Sequence, residues 1–113
     1  MSLEYKGGII RNLKNKKLKI AYKEYEIIKK PEVIDLPREC YGTVNYLTQT
    51  IEISTKAKQD EQNVTFLHEM FHAIFNKLDM EDLCEDEVVV NQLATELYMV
   101  IKDNPHIFTM KDI

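Results

Sequence analysis

Two histidines stand four residues apart, with a glutamate directly after the first, in His68-Glu69-Met70-Phe71-His72. On an α-helix, residues four apart lie one above the other, so the two imidazoles project side by side and can share one Zn²⁺. Glu69 is turned about 100° from His68 by helical geometry. It then lies beside the metal, placed to take the proton of an attacking water. The spacing predicts a zinc site with hydrolytic chemistry, in which His68 and His72 are ligands and Glu69 is the general base.

A catalytic zinc takes a third protein ligand and leaves its fourth position open. The stretch after the motif offers Asp79, Glu81, Asp82, Cys84, Glu85, Asp86, Glu87 and Glu96. Helical phase separates them. Glu87, Val90, Ala94, Leu97 and Ile101 follow at steps of three and four, so Glu87 begins the stripe that the second helix turns toward the core. A buried carboxylate there needs a partner, and zinc is one. Glu87 is the expected third ligand, with an exposed first-turn acid as the plainer reading of the same residue. Cys84 and His106 remain the alternatives.

Asn91, one turn after Glu87, is a candidate to orient the metal-site carboxylates or simply a flank of the stripe. A hydrolase also gains from a donor to the oxyanion of its tetrahedral intermediate, and Tyr46, Tyr98 and His106 are eligible. Tyrosine at strand or helix spacing is more often core.

The elements that must hold these groups read in two halves. Leu18, Ile20 and Tyr22 alternate with polar residues, and Tyr25 and Ile27 continue the pattern with a shift of register. Pro31 and Pro37 punctuate a loop. Gly42 to Ser54 reads as a hairpin, with Val44 and Tyr46 on one arm and Ile51 and Ile53 on the other, around Leu47-Thr48-Gln49. The second half changes to helical period. Val64, Leu67, Phe71, Ile74 and Leu78 share one face, with Asp60 as the expected N-cap. A polar connection from Asp79 to Glu85 leads to the second amphipathic helix, which should stop near Asp103-Asn104-Pro105. The expected fold is α+β: a small, mainly antiparallel sheet with the helices gathered on one face.

The 113 residues fit one domain, and 44% hydrophobic content supplies its core. A net charge of −4 gives no basic footprint for direct nucleic-acid binding. Lys14-Asn15-Lys16-Lys17-Leu18-Lys19 reads as a solvated edge. Apolar stretches are too short for a membrane span, and the first residues, Met1-Ser2-Leu3 among them, lack a signal-peptide pattern. Cys40 and Cys84 have no CxxC spacing and are expected to be free thiols in the cytoplasm.

His68-Glu69-Met70-Phe71-His72-Ala73-Ile74, an acidic segment, and then Val90-Asn91-Gln92-Leu93-Ala94-Thr95-Glu96-Leu97 together resemble the ImmA/IrrE-type metallopeptidases of bacteria, phages and mobile elements. The likeness is closest to compact phage-type members and covers roughly the C-terminal two-thirds, hairpin included. It implies a minimal zincin-like fold and a gluzincin-like site, with His68, His72 and Glu87 on the metal and Glu69 as base. In many members a glutamate stands two residues before the asparagine, whereas here Val89 holds that place and Glu87 stands four before. The resemblance implies a peptidase acting on a protein or peptide substrate, and it suggests transcriptional repressors of a phage or mobile element. The alternative is a catalytically silent, zinc-stabilised interaction module.

Overall fold

The computed structural model describes Leu13 and residues 16–35 and 38–108. Met1-Ser2-Leu3, the Lys14-Asn15 part of the basic run, and Pro37 lie outside the described residues.

The chain runs β1 (Lys17–Ile20), β2 (Lys23–Lys30), β3 (Val33–Asp35), β4 (Arg38–Cys40), β5 (Gly42–Asn45), β6 (Thr50–Ser54), α1 (Gln59–Lys77), α2 (Glu81–Cys84) and α3 (Glu87–Asp103). It is an α+β fold. The four-stranded sheet has the order β1-β2-β6-β5, and β3 and β4 form a separate pair. β1 with β2, β3 with β4, and β5 with β6 are antiparallel, but β2 and β6 pair in parallel from Glu26↔Thr50 to Lys30↔Ser54. The sheet is therefore mixed at its centre rather than mainly antiparallel throughout. A parallel pairing needs a long crossover, and the chain from β2 through β3, β4 and β5 supplies it.

The alternation expected from Leu18 to Tyr22 breaks earlier. Ala21 adopts a left-handed φ of 56°, which turns the chain into β2, and Tyr22 is left 77% exposed. The loop expected around Pro31 carries β3. The Gly42–Ser54 hairpin forms, but its first arm ends at Asn45 and Tyr46 lies in the turn rather than on the arm.

Tyr25 and Ile27 of β2 and Ile51 and Ile53 of β6 are buried on one face of the sheet. Phe66, Leu67 and Ala73 of α1 close over them, joined by Ala94 and Tyr98 of α3. Alternate residues of a strand share a face, and residues three and four apart share one on a helix, so these apolar sets meet in one core. α1 lies against β1, β5 and β6, and α3 packs on α1.

Helix boundaries set the spacing of the site. Lys58, not Asp60, stands at the N-cap of α1, and no side chain caps that end. Asp60 and Glu61 fall in the first turn, where their charge suits the helix dipole. Leu78 closes α1 as its C-cap and is 54% exposed, so it drops out of the expected core stripe. The left-handed Asp79 ends the helix, with Met80 N–H donating to Phe75 O at 2.9 Å. The connection expected to be irregular contains the single helical turn α2. Asp86 then caps α3 by accepting from Val89 N–H at 3.1 Å, which makes Glu87 the first helical residue.

Candidate metal centre

α1 presents His68 and His72 on adjacent turns, and the start of α3 brings Glu87 across to both. Glu87 Oε1 lies 2.9 Å from His68 Nε2, and Oε2 lies 3.0 Å from His72 Nε2. The two Nε2 atoms are 3.2 Å apart. With metal–ligand bonds of about 2.0–2.2 Å, a tetrahedral zinc separates its ligand atoms by roughly 3.3–3.6 Å. The two imidazole nitrogens, and each of them with its own oxygen of Glu87, lie slightly inside that separation, and two imidazoles with one carboxylate are a donor set suited to zinc. Among the described residues these three form the one group of His, Cys, Asp and Glu side chains that could hold a metal ion.

The expected third ligand is therefore where the helical phase puts it, but not for the expected reason. The Glu87 side chain is 68% exposed, so it reaches in from the rim of the site rather than from the buried stripe. Position N1 places it one turn before the first fully buried residue, Val90. Burial, and after it the neighbouring His72 ring, hold His68 below the ordinary histidine range, against the opposing pull of Glu87 and of Asn91, whose side-chain oxygen accepts from the ring. The ring is thus biased to its neutral form, the form that ligates metal.

Glu69 is 7% exposed, and among the described residues its carboxylate has no hydrogen-bond partner. Burial pushes its pKa up to about 8, with Glu87 and Asp35 adding negative charge nearby. A cation held by the triangle would act in the opposite direction. Glu69 faces a cleft of about 620 Å³, bordered also by His68, His72, Glu87, Asn91 and the strand β5. A second cleft of about 530 Å³ lies on the α2 side, and Tyr46, His72 and Glu87 border both.

Gly42 lets β5 approach α1 beside Glu69. A Cβ there would collide with the Thr65 Cγ2 methyl and come within 3.0 Å of Glu52 O and 3.6 Å of Glu69 Cγ. Gly42 and Asp35 are the site residues that spacing did not single out. The glycine had a signal, since glycine in a strand marks close backbone approach. Asp35 had none, because its strand was not legible.

The other candidates stand elsewhere. Cys84 is not in the metal-capable group; its Sγ lies 3.3 Å from Tyr46 Oη and 3.4 Å from His72 O. Both Cys40 and Cys84 are free thiols. His106 is exposed in the turn after α3 and borders neither cleft. Tyr98 is buried and borders neither cleft: its hydroxyl donates to Asp60 Oδ1 and accepts from Asn63 Nδ2 at 3.2 Å. Glu85 and Glu96 are both exposed, and Glu85 borders the second cleft. No helix among the described residues is long and apolar enough to cross a membrane.

Comparison with protein-family models, with curated proteins and with solved structures gave no match.

Proposed function

We propose that this chain is a zinc-dependent peptidase with a minimal zincin-like fold, related to the ImmA/IrrE-type metallopeptidases and acting on a protein or peptide substrate in the cytoplasm. One observation carries the reading: three side chains grouped to hold a metal ion, and a buried glutamate with no hydrogen-bond partner among the described residues, open into the same cleft. An interaction module stabilised by zinc needs the triangle but has no use for Glu69.

His68, His72 and Glu87 would hold the metal, which when bound supplies Lewis-acid polarisation of a carbonyl and of water. Glu69 takes a proton from the attacking water, whose oxygen bonds to the scissile carbon. The carbon–nitrogen bond then breaks with its electron pair on nitrogen, and Glu69 returns the proton to the leaving amine. Water-poor surroundings strengthen each of these interactions, and the burial of Glu69 provides them. β5 is an edge strand of the sheet and borders the cleft, so an extended substrate would pair along its outer edge. Asn91 steadies His68 from α3. A transcriptional repressor of a phage or mobile element is the substrate class that the family resemblance suggests.

The test is zinc content together with cleavage of denatured casein. Zinc at one per chain, cleavage abolished by chelation, and recovery on zinc addition are expected. Purified protein that takes up no zinc even on reconstitution contradicts the reading.

A further inference from the structure

Tyr46, in the turn between β5 and β6, borders both clefts, as do only His72 and Glu87 among their described lining residues. Its hydroxyl lies 3.3 Å from Cys84 Sγ, and that sulfur lies 3.4 Å from the main-chain oxygen of His72. Proton counting assigns the direction of both contacts. A carbonyl oxygen only accepts, so the single thiol proton of Cys84 is directed to His72 O. The Tyr46 hydroxyl is then the donor to sulfur.

Sulfur is a weak acceptor, whereas a bond to a charged oxygen is roughly twice as strong as a neutral one. A donor resting on sulfur beside a metal centre therefore gains by transferring to an oxygen that becomes negative. We propose that Tyr46 is a further catalytic residue, whose hydroxyl leaves Cys84 Sγ and donates to the oxyanion forming on the scissile carbonyl, with Cys84 as the positioning residue. The inference rests on the peptidase reading. Burial first, and then Cys84 and Glu69, push the Tyr46 hydroxyl's pKa upward, so it keeps its proton and remains a donor. Tyr98, the other tyrosine singled out by sequence, is already committed to Asp60 and Asn63.

The test uses the full chain loaded with zinc and two probes, denatured casein for turnover and acetohydroxamate for binding at the metal centre. Tyr46→Phe keeps the ring and removes the donor. It should lower kcat about 10²-fold with KM within about twofold, as loss of an oxyanion donor does. Zinc content should match the wild type, and acetohydroxamate should bind about tenfold more weakly. Tyr22→Phe, at an exposed tyrosine that borders neither cleft, should behave as wild type.

Cys84 gives the sharper comparison. Cys84→Ser offers Tyr46 a better acceptor and should lower kcat more than Cys84→Ala, which releases the hydroxyl. A merely structural contact would rank the two in reverse, with the conservative serine milder. Casein cleavage that depends on Glu69 but is indifferent to Tyr46→Phe overturns this inference alone, as does the reverse serine–alanine ranking. Casein left uncut, with acetohydroxamate still weakened by Tyr46→Phe, overturns the peptidase reading and keeps the donor at the metal centre. Casein left uncut with unchanged acetohydroxamate binding overturns both.

Discussion

Glu87 Oε1 lies 2.9 Å from His68 Nε2 across 19 residues of sequence and a change of helix. The contact depends on where α3 starts and how it seats on α1. Asp86 fixes the start by capping, and the burial of Val90 and Ala94 fixes the seat. The same carboxylate reaches His72 through its other oxygen, so one exposed side chain closes the donor triangle.

Removing that side chain should open the triangle. Glu87→Ala is expected to weaken zinc binding by more than about 100-fold, beyond the range of supporting residues. Glu85→Ala and Glu96→Ala should bind zinc as wild type does, since neither side chain belongs to the metal-capable group. Competition titrations against a chromophoric chelator measure all three. Equal affinities across the set would remove Glu87 from the ligands.

The candidate ligands and the candidate base share a legible arrangement in sequence because their geometry is local. A helix alone dictates how residues 68, 69 and 72 point, and helical phase alone put Glu87 at the head of α3. What escaped was non-local. Period-two patterning gives the face of a strand and not its neighbour, so the parallel β2–β6 pairing had no local signature. β3 and β4 are three residues each, too short to show a period. Tyr98 read as an oxyanion candidate because only the packing of α3 on α1 shows that Asp60 and Asn63 occupy its hydroxyl. The exposure of Glu87 likewise follows from the rim position of a first-turn residue.

The close approach of β5 to α1 should be sensitive to a single methyl. Gly42→Ala is expected to cost about 1–3 kcal/mol by overpacking against the Thr65 methyl and Glu52 O. Thr65→Ser removes the Cγ2 methyl, so the double variant should recover part of the loss in denaturant unfolding. Zinc affinity should change less than casein cleavage, because β5 borders the cleft without supplying a ligand. Strict additivity of the two substitutions would show that the methyl is not the obstacle.

The link between α1 and α3 should titrate on the acid side. The Tyr98 hydroxyl holds Asp60 below the ordinary carboxylate range, opposed next by burial, with Lys102 lowering it further. A depressed carboxylate contributes stability that is full above its unfolded pKa and is lost as pH falls through the folded one. Wild-type melting temperature should therefore drop below about pH 4, the ordinary aspartate range. Tyr98→Phe should show a smaller acid step. It should also be less stable at neutral pH by about 1–3 kcal/mol, because the buried Asn63 amide loses its acceptor. Parallel pH–melting curves for the two proteins would contradict the assignment.

Catalysis is separated from metal binding most directly at Glu69. Glu69→Gln keeps the size of the side chain and its place beside Gly42 while removing the proton acceptor. The measurement is the rate of casein cleavage by folded, zinc-loaded wild type and Glu69→Gln, with zinc content determined on the same samples. Equal zinc content is expected, with cleavage by the variant slowed by roughly 10²- to 10⁴-fold, the usual contribution of acid–base catalysis. Equal rates at equal zinc content would contradict the peptidase mechanism at its base.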